Sequence, residues 1–266
     1  MHTIDNENEE RQEKNHQTNS LIKNKVALIT GGVKRIGATI ARLLHKEGIK
    51  LALHYRHSDT AAHALQIELN NQRNESVLLL QADLSHITKL NSLVQQTIEH
   101  YGQLDILINN ASAFYPTPIG TVKEKVWEEL LGINLKVPFF LSQVAVPYLT
   151  KTQGCIINIT DIHAERPLKQ HPVYSTAKAG LVMLTKALAQ ELGTKKIRVN
   201  AIAPGAILWP TNDMDDASKQ QIISALALKR HGDPQDIAKT VLFLVRDGGY
   251  ITGQIIAVDG GRTLNQ

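Results

Sequence analysis

Seven short apolar runs recur along the chain, at residues 26–30, 50–55, 77–81, 106–108, 155–159, 199–203 and 255–258. Between the early runs the apolar residues fall at helical spacing. Ile36, Ile40, Leu43 and Leu44 share one face, and so do Ile87, Leu90, Val94 and Ile98. Gly48 and Gly102 stand where those helices would end. A strand that feeds a helix and then another strand pairs in parallel, and the crossover helices must cover both faces of the sheet. No Pro- or Gly-rich linker and no internal repeat divides this body. The pattern predicts one doubly wound α/β domain over residues 23–266, with a parallel sheet of about seven strands and helices on both faces.

Composition removes several classes of function. There is no unbroken run of 18 apolar residues, which argues against a membrane-spanning helix. Cys155 is the single cysteine, so a disulfide framework and a multi-cysteine metal site are both excluded. A reducing, cytoplasmic setting is expected. Cys155 lies in an apolar run and reads as a small core residue. Residues 1–20 carry five acids against Arg11 and Lys14, a net of −3, so the formal net charge of +4 leaves +7 on the rest. Residues 1–22 read as a disordered polar tail, with no basic segment leading into an apolar one and hence no expected signal peptide. The basic residues of the body are scattered, without a basic stripe or an aromatic RNA motif, so no nucleic-acid partner is expected. Among the eleven histidines no pair sits one helical turn apart beside a carboxylate. Asp213, Asp215 and Asp216 read as a solvated loop, and no metal is expected. Trp127 reads as a core residue.

The first apolar run leads into Thr30-Gly31-Gly32-Val33-Lys34-Arg35-Ile36-Gly37 and then a helix. Glycines there let the backbone turn tightly, approach a pyrophosphate and aim helix N–H groups at it. A plain tight turn would need similar glycines, but the placement between strand and amphipathic helix favours a dinucleotide. Lys34 and Arg35 add positive charge where phosphates would lie. At the end of the second run a chain that binds an unphosphorylated ribose usually has an acid. This chain has His54-Tyr55-Arg56-His57-Ser58, and no acid before Asp59. A guanidinium and a hydroxyl suit a 2′-phosphate, so the expected cofactor is NADPH.

Tyr174 and Lys178 lie four residues apart, roughly 6 Å along a helix. Both border the apolar stripe of Ala177, Leu181, Leu184 and Leu188, so they face inward together. An ammonium beside a phenol lowers its pKa from near ~10 toward working pH, which would make Tyr174 an acid for hydride reductions. Taken alone, Tyr-x-x-x-Lys is common and reads better as a surface pair.

In chain order, the glycine loop, Asn109-Asn110-Ala111 after a strand, Tyr174-x-x-x-Lys178 and Pro204-Gly205 after a strand resemble the short-chain dehydrogenase/reductase family. The resemblance covers about residues 24–263 and implies a Rossmann-type fold. It also implies a homotetramer, joined through helices around residues 121–150 and 172–193 and the last strand. Two departures narrow it. The family usually has Thr-Gly-x-x-x-Gly-x-Gly, but the middle glycine is Arg35, and the serine usual thirteen residues before the tyrosine is Asp161. Both departures are similar to the pteridine reductases. So is Asn110-Ala111-Ser112-Ala113-Phe114-Tyr115-Pro116-Thr117-Pro118, while Ala203-Pro204-Gly205-Ala206-Ile207-Leu208-Trp209-Pro210 resembles bacterial members of that group. Arg56-His57 stands in reversed order relative to the protozoan enzymes.

Carried over by match, the resemblance implies that Phe114 stacks on a pterin, sandwiching it with the nicotinamide. It implies cofactor contacts at Gly31, Lys34, Arg35, Ile36, His54, Tyr55, Arg56, His57, Ser58, Asp83, Leu84, Asn109, Ala111, Ser112, Tyr174, Lys178, Pro204, Gly205 and Ile207. Among these, Asp83 bonds the adenine amino group and the loop of Asn109 borders the adenine ribose. Substrate contacts are implied at Arg35, Ser112, Phe114, Asp161, Tyr174, Gly205, Leu208 and Trp209, with residues 208–228 as a mobile lid. Asn134 is implied to hold a proton-relay water with Lys178. The physical chemistry agrees: a carboxylate would repel the alkoxide that forms on a carbonyl. Reducing C=N instead makes nitrogen more basic, and a carboxyl can relay its proton. The expected activity is NADPH-dependent reduction of a dihydropterin, such as dihydrobiopterin or dihydromonapterin, with dihydrofolate as a further candidate. The alternatives are a short-chain carbonyl reductase acting on 3-oxoacyl carriers and, from another class, a non-catalytic NADP(H)-binding regulatory protein.

Overall fold

The computed structural model describes residues 22–208 and 215–264. The expected tail up to Leu21, and Trp209 and Asp213, lie outside the described residues. Ile22, the last residue assigned to the tail, is buried in the core.

In chain order the elements are β1 (Val26–Ile29), α1 (Arg35–Lys46), β2 (Lys50–Tyr55), α2 (Asp59–Asn70), β3 (Val77–Gln81), α3 (Ile87–Tyr101) and β4 (Ile106–Asn109). There follow α4 (Glu124–Leu131), a π-helical turn (Gly132–Lys136), α5 (Val137–Thr152), β5 (Cys155–Ile159) and α6 (Pro172–Leu192). The chain closes with β6 (Arg198–Pro204), α7 (Asp216–Ser224), α8 (Pro234–Arg246) and β7 (Ile255–Val258). All pairings are parallel, in the order β3-β2-β1-β4-β5-β6-β7. This is the expected seven-stranded, doubly wound single domain.

Alternation along each strand divides the core into two layers. Ala27 and Ile29 of β1, Ile106 and Ile108 of β4, and Cys155 and Ile157 of β5 meet α1, α2 and α8 on one face. Leu28, Leu107 and Ile156, the intervening residues, meet α3, α5 and α6 on the other. Burial on both faces is why these runs read as continuous apolar stretches.

The helical stretch Glu124–Thr152 is long and apolar enough to cross a membrane by length and composition alone. Charged residues such as Lys136 interrupt it, so it contains no unbroken apolar run of 18 residues. In the fold its Val137, Leu141, Ala145 and Leu149 pack against the sheet. Trp127, expected in the core, is half-exposed on α4.

A buried polar chain ties the centre together. Asn158 of β5, fully buried, accepts a hydrogen bond from Asn109 Nδ2 (2.8 Å) and donates one to Thr185 Oγ1 of α6 (2.9 Å). Removing it breaks two buried hydrogen bonds and leaves Asn109 Nδ2 only a 3.5 Å contact with Ser142 Oγ, and weakened pairing of a buried polar group is costly. Asn158→Ala is expected to lose about 2–4 kcal/mol of stability in denaturant titration. Wild-type stability in that variant would contradict this role.

Candidate active site

The strand order reverses between β1 and β4, and the loops leaving those two strands are laced together. Thr30 Oγ1 accepts the N–H groups of Asn110 (2.9 Å) and Ala111 (3.0 Å). Asn110 Nδ2 donates to the carbonyls of Thr30 and Gly31, each at 2.9 Å. Gly31 takes a left-handed backbone, and a Cβ on Gly37 would stand 2.1 Å from the Gly31 carbonyl oxygen. Helix and loop therefore touch through a position that only glycine fills. Gly31 N–H also donates to His54 Nδ1 (3.2 Å), while His54 Nε2 faces the Ala82 carbonyl at 3.0 Å. That pairing fixes a neutral ring protonated on Nε2. Burial holds the His54 pKa below its ordinary value.

Arg35 has φ +51°, the left-handed region, which costs a residue with a side chain about 1–2 kcal/mol. It stands where the resembled family has its middle glycine, so the backbone keeps glycine geometry while Arg35 lines the cleft. Lys34, the residue before α1, makes no side-chain cap. The first N–H groups of α1 thus face the cleft without a capping side chain, an arrangement suited to a phosphate. The cleft itself encloses about 1020 Å³. With its glycine cradle and uncapped helix end, it fits a dinucleotide.

At one end of the cleft Arg56 and Asp83 form an ion pair at 2.7 Å. Gln81 Nε2 holds the Arg56 carbonyl at 3.2 Å, and Leu84 lines the wall beside them. Three neighbours expected here do not line the cleft. Tyr55 is buried with its hydroxyl directed at Asp59 (3.4 Å), His57 is exposed, and Ser58 leads into α2. Strand alternation explains Tyr55, which points opposite to His54. Asn109 is likewise not among the residues lining the cleft. Its side chain is buried against Asn158 on the sheet, and Asn110 faces the cleft instead.

At the other end, α6 carries Tyr174 and Lys178 on its buried face, 4% and 2% exposed. Tyr174 Oη donates to Asp161 Oδ2 at 2.8 Å. Lys178 Nζ donates to the Ile159 carbonyl at 3.0 Å and lies 5.6 Å from the Tyr174 ring centre. Asp161 follows β5 and accepts the His163 N–H through its other oxygen (2.9 Å), which fixes the carboxylate plane. The expected lowering of the tyrosine pKa is overturned. Burial first and then the Asp161 carboxylate push Tyr174 well above 10.0. Lys178 cannot offset this, because burial lowers its own pKa to about 8. Tyr174 is thus a neutral donor held on a carboxylate.

The substrate side is assembled from loops. Asn134, fully buried in the π-helical turn, accepts from Ser112 Oγ (2.6 Å) and donates to the carbonyls of Ala113 (2.9 Å) and Leu130 (3.0 Å). Its side chain does not line the cleft, and through these bonds it positions the loop of residues 111–114. Phe114, 51% exposed, lines the cleft edge-on to Tyr174, with ring centres 4.8 Å apart. Its face is stacked on His171 at 4.6 Å. Nothing in the sequence periodicity singled out His171, which immediately precedes α6. Ile36, Ala111, Pro204, Gly205, Ile207 and Leu208 line the cleft as expected, and Lys125, Glu128, Glu129 and Lys136 add a charged rim that the sequence reading missed. Among the described residues no cluster of three potential ligands could hold a metal.

Residues 32–263 match a family model described as enoyl-(acyl carrier protein) reductase. A 3-oxoacyl-[acyl-carrier-protein] reductase of Staphylococcus epidermidis is 36% identical, over 90% of this chain and 98% of the relative. A pteridine reductase of Leishmania tarentolae is 32% identical, over 91% of this chain and 97% of the relative. Among solved structures, a blue fluorescent protein from a metagenomic library, in complex with NADPH, superposes with a TM-score of 0.85. It is 35% identical, with 91% of this chain and 98% of that chain covered.

Lys178 makes stability depend on pH in a defined direction. Its pKa falls from 10.5 to about 8 on folding, so between those values the unfolded chain holds a proton that the folded chain has released. Stability therefore rises with pH through that window. The unfolding free energy of wild type minus that of Lys178→Met should rise from pH 8 to pH 10.5. A flat difference would contradict the burial argument.

Proposed function

This chain belongs to the short-chain dehydrogenase/reductase family and is a nicotinamide-dependent oxidoreductase, and we propose that it reduces dihydropterins with NADPH. The observation that carries the reading is the 2.8 Å hydrogen bond from Tyr174 to Asp161, at a position where the family usually places a serine. When bound, the cofactor supplies the hydride. The chain's own residues handle the proton. Tyr174, kept protonated by burial and by Asp161, delivers its hydroxyl proton to the nitrogen that gains basicity as the C=N bond is reduced. Asp161 keeps that hydroxyl oriented and relays its replacement proton. Lys178 holds the nicotinamide ribose, and Arg56 offers the guanidinium that favours a 2′-phosphate.

A second reading, reduction of 3-oxoacyl thioesters, is favoured by the names of the relatives. The acyl-carrier reductase is 36% identical and the pteridine reductase 32%. Site chemistry weighs against it, because the Asp161 carboxylate faces the place where an alkoxide would develop. The exposed Phe114 ring also suits a flat heteroaromatic better than an acyl chain. A homotetramer is part of the same proposal. It is supported by an apolar surface of Leu131, Leu135, Phe139, Phe140 and Leu184 across the α4–α5 stretch and α6.

The test is NADPH oxidation followed side by side with dihydrobiopterin, dihydrofolate and an acetoacetyl thioester. Pterin turnover that falls by about 100-fold or more in Tyr174→Phe is expected. Thioester turnover with silent pterins would overturn the substrate reading and leave the family and the fold intact.

A further inference from the structure

Phe114 sits on a stretch without regular secondary structure, is half-exposed, and is proposed above to stack on the substrate. A ring so placed would sample several rotamers, and a stacking platform that must first be ordered binds less well. Here the segment is tied at both ends. Asn134 holds the Ala113 carbonyl, Thr117 N–H donates to the Gln170 carbonyl at 2.6 Å, and Val173 N–H donates to Thr117 Oγ1 at 3.4 Å. Those bonds bring the segment before α6 alongside residues 113–117. They set the His171 ring on Phe114 at 4.6 Å with only 9° between the planes. His171 is itself fixed, its Nδ1 lying 2.9 Å from the Lys169 carbonyl. On its edge Phe114 meets Tyr174, the proton donor, at 4.8 Å.

We propose that His171 is a positioning residue for substrate binding: its imidazole backs one face of Phe114 and locks that ring against Tyr174 as a platform for a flat heteroaromatic. This rests on the dihydropterin reading. His171 does not touch the reacting atoms; it acts through Phe114. The ring, and not its charge, carries the effect, so another planar side chain should serve.

Three variants test this by steady-state kinetics with dihydrobiopterin, accompanied by fluorescence titration of NADPH binding. His171→Ala should raise KM for the pterin about three- to ten-fold, the size of one lost stacking interaction. Its kcat should stay within about two-fold, and NADPH affinity should not change, because the dinucleotide end of the cleft is untouched. His171→Phe should restore KM. Phe114→Leu should raise KM similarly, and adding His171→Ala to it should produce little further change. An unchanged KM in His171→Ala, or failure of His171→Phe to restore it, would overturn the inference while the dihydropterin reading stands. Absence of pterin turnover in the wild type would overturn both.

Discussion

The reversal of strand order between β1 and β4 is the constraint on which the cleft depends. Strands on either side of that point send their helices to opposite faces, so the loops leaving their carboxyl ends part and leave a crevice. Thr30 and Asn110 stitch the two loops across this crevice with four hydrogen bonds. His54 then pins Gly31 from the neighbouring strand. Only a neutral imidazole can accept the Gly31 N–H, and burial in the sheet keeps it neutral. The dinucleotide cradle is therefore held by the core itself, before any ligand contributes.

The other end of the cleft works by the same electrostatics. Lys178 and Tyr174 are both buried, and desolvation disfavours the charged form of each. The Asp161 carboxylate adds to this for the tyrosine, and keeps it a protonated donor. A proton donor for a reduction needs to carry its proton, so a high pKa is compatible with the proposed chemistry. It differs from the phenolate-favouring activation that a lysine one helical turn away suggests from sequence alone. The loop carrying Ser112 and Phe114 is set by Asn134 in the π-helical turn, which joins the long helix to the chemistry through one side chain.

Much of this was legible in the residues. Parallel strands buried on both faces give unbroken apolar runs, so β2, β3, β5 and β7 appear in the structure at their expected bounds. The glycine loop, Tyr174, Lys178 and Asp161 were visible as well, because their chemistry depends on fixed local spacing. What stayed hidden depends on which way a side chain points or on who faces it. Tyr55 and Asn109 alternate away from the cleft that their neighbours His54 and Asn110 line. His171 gains its place only when the Thr117–Gln170 bond brings two distant segments together. The sign of the Tyr174 shift depends on burial and on a carboxylate thirteen residues away, neither of which the Tyr-x-x-x-Lys spacing contains.

The most direct test of the account is the ionisation of Tyr174, read from phenolate absorbance in the ultraviolet. The difference between wild type and Tyr174→Phe isolates its signal, and the same pair is compared in an Asp161→Ser background. Tyr174 is expected to stay protonated past pH 10.0 in the wild type and to ionise at lower pH once the carboxylate is removed. A Tyr174 that ionises below pH 10.0 in the wild type, or at the same pH with and without Asp161, would contradict the claim that this pair forms the proton-donating centre.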